Sequence, residues 1–537
     1  RMMVQEIEES DYIISWGKNS ASDDGPQVML HRIKEAQKRG AKLIVIDPRQ
    51  EGLGKIADWW IPITPGSDGA LALAMLKLII GSGRYDHEFI EKYTRGFEEF
   101  KAYLDTQTME QLSKWCGISV TDIEKLTDIF CSTAKIPLVA YTGLEYQLSA
   151  IQNNRAIFVL WAITGKLDAP GAIYLNAKGL ETPKLFEIPE DDKPIGADEF
   201  PLFYKFSGLG QFSRFPKAVL EDEPYPVRGL MILGGSPVLS FPDSKSWREA
   251  YKKLDCLIVL DRYFTEDARY ADVVFPACSL FEVPKAVPGP EGPHIVEPLI
   301  EPVGESKNDV LIMGAIAKKL GFGDKLPQTE EELRSWLLSG TAPYAGDFGT
   351  SADQKKEKHY KKYETGELRA DGKPGFPTPS GKLEIFSTIL EENGFVPYPE
   401  YKDVRSIPEL AGKEYPFTMT SGARSNNRMG VFGANLDKIA EIEPYPFVDI
   451  NAEDAKEIGI EDGDMVKVIT PFADGTFKAK IRGIARHAIH IPHGGGSAYM
   501  AEPWKNGNVN DLCSLDYADP MTGFVLIKSV PCRVEKV

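Results

Sequence analysis

The stretch LIVIDPRQEGLGKIADWW at residues 43–60 returns in altered form as LIVLDRYFTEDARYADVV at residues 257–274, and this repeat constrains the fold more than any other feature of the chain. In each copy an apolar run ends in an aspartate, Asp47 or Asp261, and a second aspartate, Asp58 or Asp272, follows eleven residues later. Both pairs are offset by 214 residues. A short apolar run bounded by turn residues reads as a strand buried on both faces, which is characteristic of parallel sheets covered by helices. The repeat therefore predicts two related α/β units, each presenting a carboxylate at the rim where a strand ends.

The flanking segments fill out both units. In the first, DYIISWG reads as a buried strand, QVMLHRIKEAQKRG as an amphipathic helix ending at Gly40, KLIVID as the next strand and GALALAMLKLII as a buried helix. RGLMILGG, SKSWREAYKKL, CLIVLD and VLIMGAIAKKLG repeat that order in the second. The first α/β domain is placed at 1–183, an irregular connection rich in proline, acidic and aromatic residues at 184–226, and the second α/β domain at 227–400, with a polar Gly/Pro-rich excursion over 340–380. From 414 to 537 the character changes to short strands and frequent turns, among them YPFTMTSG, DMVKVITPF, TFKAKIRG and AIHIPHGGG, a pattern that predicts a β-barrel.

In an open parallel sheet, ligands bind beyond the carboxyl ends of the strands, where loops and helix N-termini offer unpaired N–H groups. The first unit has WGKNSAS there, with Gly17 and Asn19; the second has LGGSPVLS, with Gly234 and Ser236. Glycine lets a phosphate approach the backbone, and the polar side chains can donate to it. Asp47 and Asp261 suit the N–H edge of a guanine or a ribose hydroxyl. Each unit thus reads as half of a nucleotide site, and the pair as facing one elongated ligand. The competing reading, in which each aspartate caps a turn and the repeat is only a duplicated fold unit, stays open at this point. Neither GxGxxG nor GxxxxGK[ST] occurs, which argues against nicotinamide and P-loop chemistry.

A net charge of −17 and a pI near 5.1 repel a phosphate backbone, so nucleic acid is not an expected partner, nor is an anionic membrane surface. No apolar run reaches the roughly 18 residues that a membrane span requires. The cysteines at 116, 131, 256, 278, 513 and 532 form no CxxC pair, so the chain lacks the ligand spacing of an iron–sulfur cluster or structural zinc; Cys256 and Cys278 read as small core residues. In HAIHIPH, strand alternation sends His487 and His490 to opposite sides, which argues against a three-histidine metal site and leaves His493, beside GGG, as the candidate. GLEYQLSAIQNN reads either as a substrate funnel lined by Glu145, Gln147 or Asn153, or as a helix cap and polar loop. The opening RMMVQEIEESDYIISW is neither a signal peptide nor a domain beginning, so preceding sequence is expected.

Taken in order, SWGKNSAS, LIVIDPR, ADWWIPITPGSDGALALAM, RAIFVLWAITGKLDAPG, LGGSPVLS, LDRYFTEDARYADVVFPACSLFE, PTPSGKLEIFS and the region from 414 onward resemble the molybdopterin oxidoreductases of the dimethyl sulfoxide reductase family. The resemblance spans nearly the whole chain. It implies two Rossmann-like parallel-sheet α/β domains and a C-terminal double-psi β-barrel, holding bis-molybdopterin guanine dinucleotide with molybdenum or tungsten, in the setting of anaerobic respiration. By the same resemblance Gly17 and Asn19 contact the phosphates of one arm, with Asp47 and Asp68 at its guanine. Gly234, Ser236 and Pro237 serve the other arm, with Asp261 and Thr265 at its guanine. Gly422, Arg424 and Ser425 of the barrel reach the cofactor, and Asn508, Asn510 and Lys528 contact the pterins. The family's 4Fe-4S motif and metal ligand precede the sequence in hand, so the resemblance names no metal ligand here. It implies a small-molecule substrate, an iron–sulfur electron-transfer subunit and a membrane-anchor subunit as partners. GAIYLNAKGLE departs from the arginine motif of formate dehydrogenases and argues against formate. PTPSGKLEIFS and YPVRGLMIL resemble thiosulfate or polysulfide reductase-like and acetylene hydratase-like members. The expected activity is two-electron oxygen-atom transfer or a related reduction; the alternatives are a non-redox hydratase with the same cofactor and an inactive fragment or cofactor-binding subunit.

Overall fold

A computed structural model describes residues 3–22, 28–176, 193–287, 293–339, 358–424, 437–500 and 502–537. The first block is built on four parallel strands, β1 (Tyr12–Trp16), β2 (Lys42–Ile46), β3 (Trp59–Ile61) and β4 (Leu138–Ala140), in the order β3-β2-β1-β4. Strand alternation divides their side chains between two layers. Ile13, Leu43 and Val45 pack with Ile33 and Ala36 of helix α1 (Val28–Lys38). Ile14, Trp16, Ile44 and Ile46 face the other way, onto helices α2 (Asp68–Gly81) and α3 (Ala150–Ile163). Both of those helices are apolar around most of their circumference, and both are correspondingly buried.

The second block has three parallel strands, β5 (Gly229–Leu233), β6 (Cys256–Asp261) and β7 (Val273–Pro276), ordered β7-β6-β5, with helix α4 (Ser244–Lys253) between the first two in sequence. The repeat has the same structural content in both blocks. Asp58 accepts the N–H of Leu43 at 2.9 Å and Asp272 that of Leu257 at 2.7 Å, each pinning the start of a strand. Asp47 accepts the N–H of Arg49 at 2.8 Å and Asp261 that of Tyr263 at 3.0 Å, each turning the chain at a strand end. Gly17 and Gly234 in turn donate to Ile46 and Leu260. The offset therefore does encode a duplicated fold device, whatever else the rim aspartates do.

Residues 414–537 contain the strands β8 (Phe417–Arg424), β9 (Phe447–Ile450), β10 (Met465–Ile469), β11 (Asp474–Ile481), β12 (Ala488–His493) and β13 (Val530–Lys536). They close as β8-β12-β9-β11-β10-β13 into a barrel filled by Met419, Val448, Val466, Phe477, Ile489 and Val530. Closure leaves no strand edge unpaired.

Three sequence expectations need correction. Residues 358–400, assigned to the second α/β domain, pack on the first block. Tyr363, Leu368 and Phe376 cluster with Phe89 and Ala162, Leu383–Glu384 pairs in parallel with Thr94–Arg95, and Arg155 donates to the carbonyls of Ile385 and Pro397 at 2.8 Å. These pairings cross more than 200 residues of chain and leave no local signature. The connection, described from residue 193, forms short helices at Pro201–Ser207 and Phe215–Glu221, too brief to display a helical period. Cys256 is exposed and Cys278 half-buried, because Cys256 opens β6 at the end of the sheet instead of lying inside it.

Candidate functional site

The strand order of the first sheet reverses between β1 and β4, the kind of position at which open parallel sheets bind ligands beyond the carboxyl ends of their strands. Gly17 follows β1 with φ +63°, and Thr142 and Gly143 follow β4. The two loops cross in contact, Gly143 N–H donating to the Gly17 carbonyl at 2.9 Å. A Cβ on Gly143 would drive into that carbonyl, which is backbone and cannot swing aside. Gly143→Ala is expected to cost roughly 1 to 3 kcal/mol and to shift the Gly17 loop. Thermal unfolding checks this, and an unchanged melting temperature would show that the crossing relaxes freely.

One cleft at this switch point is lined by Gly17, Asn19, Asp47, Arg49, Gly66, Asp68, Gln147, Ser421, Gly422, His490 and Lys528, among others, so the first block and the barrel share it. Asn19 turns its Oδ1 to the N–H groups of Ala21 and Leu53, at 3.3 and 3.2 Å, and so ties the β1 loop to the loop after β2. Asp68 begins α2, where Trp16 Nε1 donates to its Oδ1 at 2.8 Å and Gln147 Nε2 to its Oδ2 at 3.0 Å. Burial pushes its carboxyl up to about 6, against those hydrogen bonds and with help from the charge of Asp47. Gln147 continues the chain by accepting from Asn153 Nδ2 at 2.7 Å, and Asn153 also donates to Gly66 O.

From the barrel side, Gly422 has φ +98° and lies so close to Lys528 that a Cβ would sit 2.6 Å from its Nζ. That ammonium donates to the Ser421 carbonyl. His490 of β12 is 2% exposed, and neither of its ring nitrogens nor Ser421 Oγ has a hydrogen-bond partner among the described residues. Burial holds the imidazole well below its ordinary value, the charges of Arg49 and Lys528 act in the same direction, and only a weak approach to the Thr420 backbone opposes them, so it is neutral at pH 7.

The other expected residues are distributed differently. Asn153 is fully buried inside α3 and serves the Asp68 network, not a funnel wall. Glu145 is half-buried, its carboxyl raised by burial against the nearby Lys528. Its neighbour Tyr146, at φ 57°, takes the N–H groups of Ile527 and Lys528 on its carbonyl, which docks the Lys528 segment. His493 ends β12 half-buried, whereas His490, which the sequence reading passed over, lines the cleft. Strand alternation through AIHIP was the signal available for it. Ser425 and the side chain of Arg424 lie outside the described residues.

In the second block Gly234 has φ +57° and leads into the short helix Pro237–Ser240. The Ser236 hydroxyl is committed to Asp267, a fully buried carboxylate that also accepts from Val238 N–H at 3.1 Å and Tyr251 at 2.8 Å. Asp267, missed in the sequence, is what holds this loop in shape. Thr265 Oγ1 accepts from Ala268 N–H at 3.3 Å, close to Asp261 in sequence. Asn508 and Asn510, expected at the pterins, are each 2% exposed and join the barrel to this block, donating to Ser244 Oγ at 2.9 Å and Leu239 O at 2.7 Å.

Comparison with known proteins identifies the architecture. Residues 2–319 match the family described as molybdopterin oxidoreductase, and residues 418–531 the molybdopterin dinucleotide-binding domain. The probable oxidoreductase YoaE of Bacillus subtilis is 30% identical over 474 residues, covering 86% of this chain and 66% of that protein. Acetylene hydratase of Syntrophotalea acetylenica is 27% identical over 526 residues, covering 90% of this chain and 70% of its own length. The alpha subunit of F420-dependent formate dehydrogenase from Methanocaldococcus jannaschii is 29% identical over 525 residues, covering 91% and 72%. The solved structure of acetylene hydratase from Pelobacter acetylenicus superposes with a TM-score of 0.83 at 24% identity, over 100% of this chain and 79% of that one. The chain spans about two thirds of YoaE, the first of these relatives. With two parallel-sheet blocks, a closed six-stranded barrel and a polar cleft at a topological switch point, the chain belongs to the molybdopterin oxidoreductase family.

Proposed function

We propose that this chain forms the greater part of a molybdenum- or tungsten-dependent oxidoreductase that holds bis-molybdopterin guanine dinucleotide and carries out two-electron oxygen-atom transfer, or a related reduction, on a small substrate. The observation that carries the reading is the cleft between the first block and the barrel. It combines cationic Arg49 and Lys528, carboxylates Asp47 and Asp68, glycine backbone at Gly17 and Gly422, and buried polar atoms of Ser421 and His490 lacking partners among the described residues. That donor set fits a ligand bearing phosphates and a base. When bound, the cofactor supplies the redox chemistry at its metal. Lys528 and Arg49 would balance phosphate charge, and Asp47 with Asp68 would accept from a guanine edge. Gly17 and Gly422 would let backbone and ligand approach closely. Gly234, Asp261 and Thr265 would serve a second arm.

The acetylene hydratase relative favours a second reading, a hydratase with the same cofactor. Partners in either case are the small substrate and, for the redox reading, an iron–sulfur subunit with a membrane-anchor subunit. Among the described residues no helix is long and apolar enough to cross a membrane.

The test uses the product of the complete reading frame. Molybdenum, tungsten and released guanine nucleotide are measured per chain, beside assays of substrate reduction and of alkyne hydration. Asp261→Ala is expected to lower guanine retention, since a guanine edge deprived of its acceptor loses roughly 1 to 3 kcal/mol. Full guanine content in that variant would remove Asp261 from the site, and absence of pterin from the parent would end the reading.

A further inference from the structure

The second block carries an apolar surface that its own fold leaves open. Leu280, Phe281, Leu299, Ile300 and Val303 are between 50% and 74% exposed, in two loops, one after β7 and one after the hairpin of Lys285–Val287 with His294–Val296. Single exposed apolar residues are ordinary. Five large ones held side by side cover on the order of a few hundred Å², the size at which such patches mark interaction sites.

The two loops are tied to each other along their length. Lys307 N–H donates to the Pro276 carbonyl at 3.1 Å, and Cys278 N–H to that of Lys307 at 3.2 Å. The Phe281 carbonyl takes the N–H groups of Leu299 at 2.8 Å and Ile300 at 3.3 Å. Next to it the buried Glu282 accepts from the N–H groups of Ser279 and Val303 and from the Ser306 hydroxyl at 3.2 Å. A buried carboxylate thus fixes the backbone of two loops whose apolar side chains face solvent. Loops shaped in advance lose little conformational freedom when a partner arrives.

Charge selects the occupant. Glu301 and Glu305 are exposed and have no ion-pair partner among the described residues, Lys307 is the cation nearest to them in sequence, and Glu297 is neutralised by Arg334 at 2.8 Å. The rim is therefore acidic, on a chain whose net charge is −17. A second copy seated face to face here would bring the same glutamates together, and an anionic lipid surface would be repelled. We propose that the loops at 279–282 and 299–303 form the docking surface for a separate polypeptide, apolar at the centre of its contact and bearing lysine or arginine at the edge. The inference goes beyond the functional reading above and holds whether or not the cofactor is bound.

The experiment uses the full-length protein, tagged and purified from the cells that make it, with Leu299 replaced by the photo-crosslinker p-benzoylphenylalanine. Expected is one crosslinked polypeptide in equal amount with the chain, joined through an apolar peptide flanked by lysine or arginine. That partner is then purified, and its affinity and association rate are measured against the parent and variants. Leu299→Asp is expected to weaken binding about tenfold or more, as loss of a central apolar contact does. Glu301→Lys combined with Glu305→Lys should chiefly slow association and flatten its dependence on salt. Melting temperatures near the parental value show that the variants fold, and Val303→Ser reads the same contact if Leu299→Asp melts early. Parental affinity in the folded apolar variant would overturn the proposal. So would a crosslink to a second copy, a crosslink to another part of the same polypeptide, or no partner in equal amount. An association rate indifferent to the double charge reversal would overturn the basic edge assigned to the partner.

Discussion

Lys362→Met is expected to lower the stability of the protein by about 3 to 5 kcal/mol, the loss typical when one partner of a buried ion pair is removed. Lys362 is 1% exposed and Asp168 fully buried, with Nζ 2.6 Å from Oδ1. Asp168 also takes the backbone N–H of Lys362 at 2.8 Å and of Leu175 at 3.0 Å, and the ammonium lies 3.9 Å from the centre of the Tyr174 ring. Methionine matches the length of the stem but strands the carboxylate in an apolar setting. Because this pair fastens residues 358–400 to the first block, that segment should become protease-sensitive before the rest of the chain unfolds. Adding Asp168→Asn should recover part of the loss by discharging the site. Urea unfolding of both variants decides the matter, and a loss below about 1 kcal/mol would place the pair in effective contact with solvent.

The second large effect is a pH dependence centred on Asp68. Its carboxyl is pushed up to about 6, chiefly by burial, with hydrogen bonds from Gln147 and Trp16 pulling the other way. Between the ordinary carboxylate value near 4 and 6, the folded protein retains a proton that the unfolded chain has released. Stability from this group is therefore greatest at the acid end of the window, falls as pH rises through it and is level above it. The fall amounts to about 3 kcal/mol. Asp449 is raised to about 6 by burial against Arg49 and Arg482 and contributes a parallel slope. Asp68→Asn should remove one share of the slope and leave the other. Denaturation of the cofactor-free protein from pH 4.5 to 7.5 measures it; parallel curves for parent and variant would mean that Asp68 titrates as an ordinary surface carboxylate.

The features legible beforehand were those that local pattern encodes. Period-two alternation in YIISW and KLIVI dictates which residues face α1 and which face α2 and α3, and the apolar run GALALAMLKLII must be buried wherever it lies. Asp47 and Asp261 could be placed at strand ends because a repeat with constant offset repeats its backbone hydrogen bonds as well. Of the residues lining the cleft, Gly17, Asn19 and Asp47 follow strands, where local pattern points to them, whereas Asp68, Gly422 and Lys528 were named only by the family resemblance. Ser236 was read as a ligand contact from residue type and Asn508 and Asn510 from the family resemblance, yet Asp267, Ser244 and the Leu239 carbonyl claim their polar atoms first.

The sequence by itself determined two α/β units of shared design, a barrel after them and a row of polar residues at strand ends, because hydrophobic periodicity and turn chemistry act within a few residues. Only the tertiary structure decided that residues 358–400 complete the first block, that Asp267 holds the glycine loop of the second, and that His490 and Ser421 meet the cleft without partners among the described residues. Those outcomes depend on which distant segment arrives to satisfy or withhold a hydrogen bond, and a buried polar atom carries no mark in the sequence of whether its partner is the protein or a ligand.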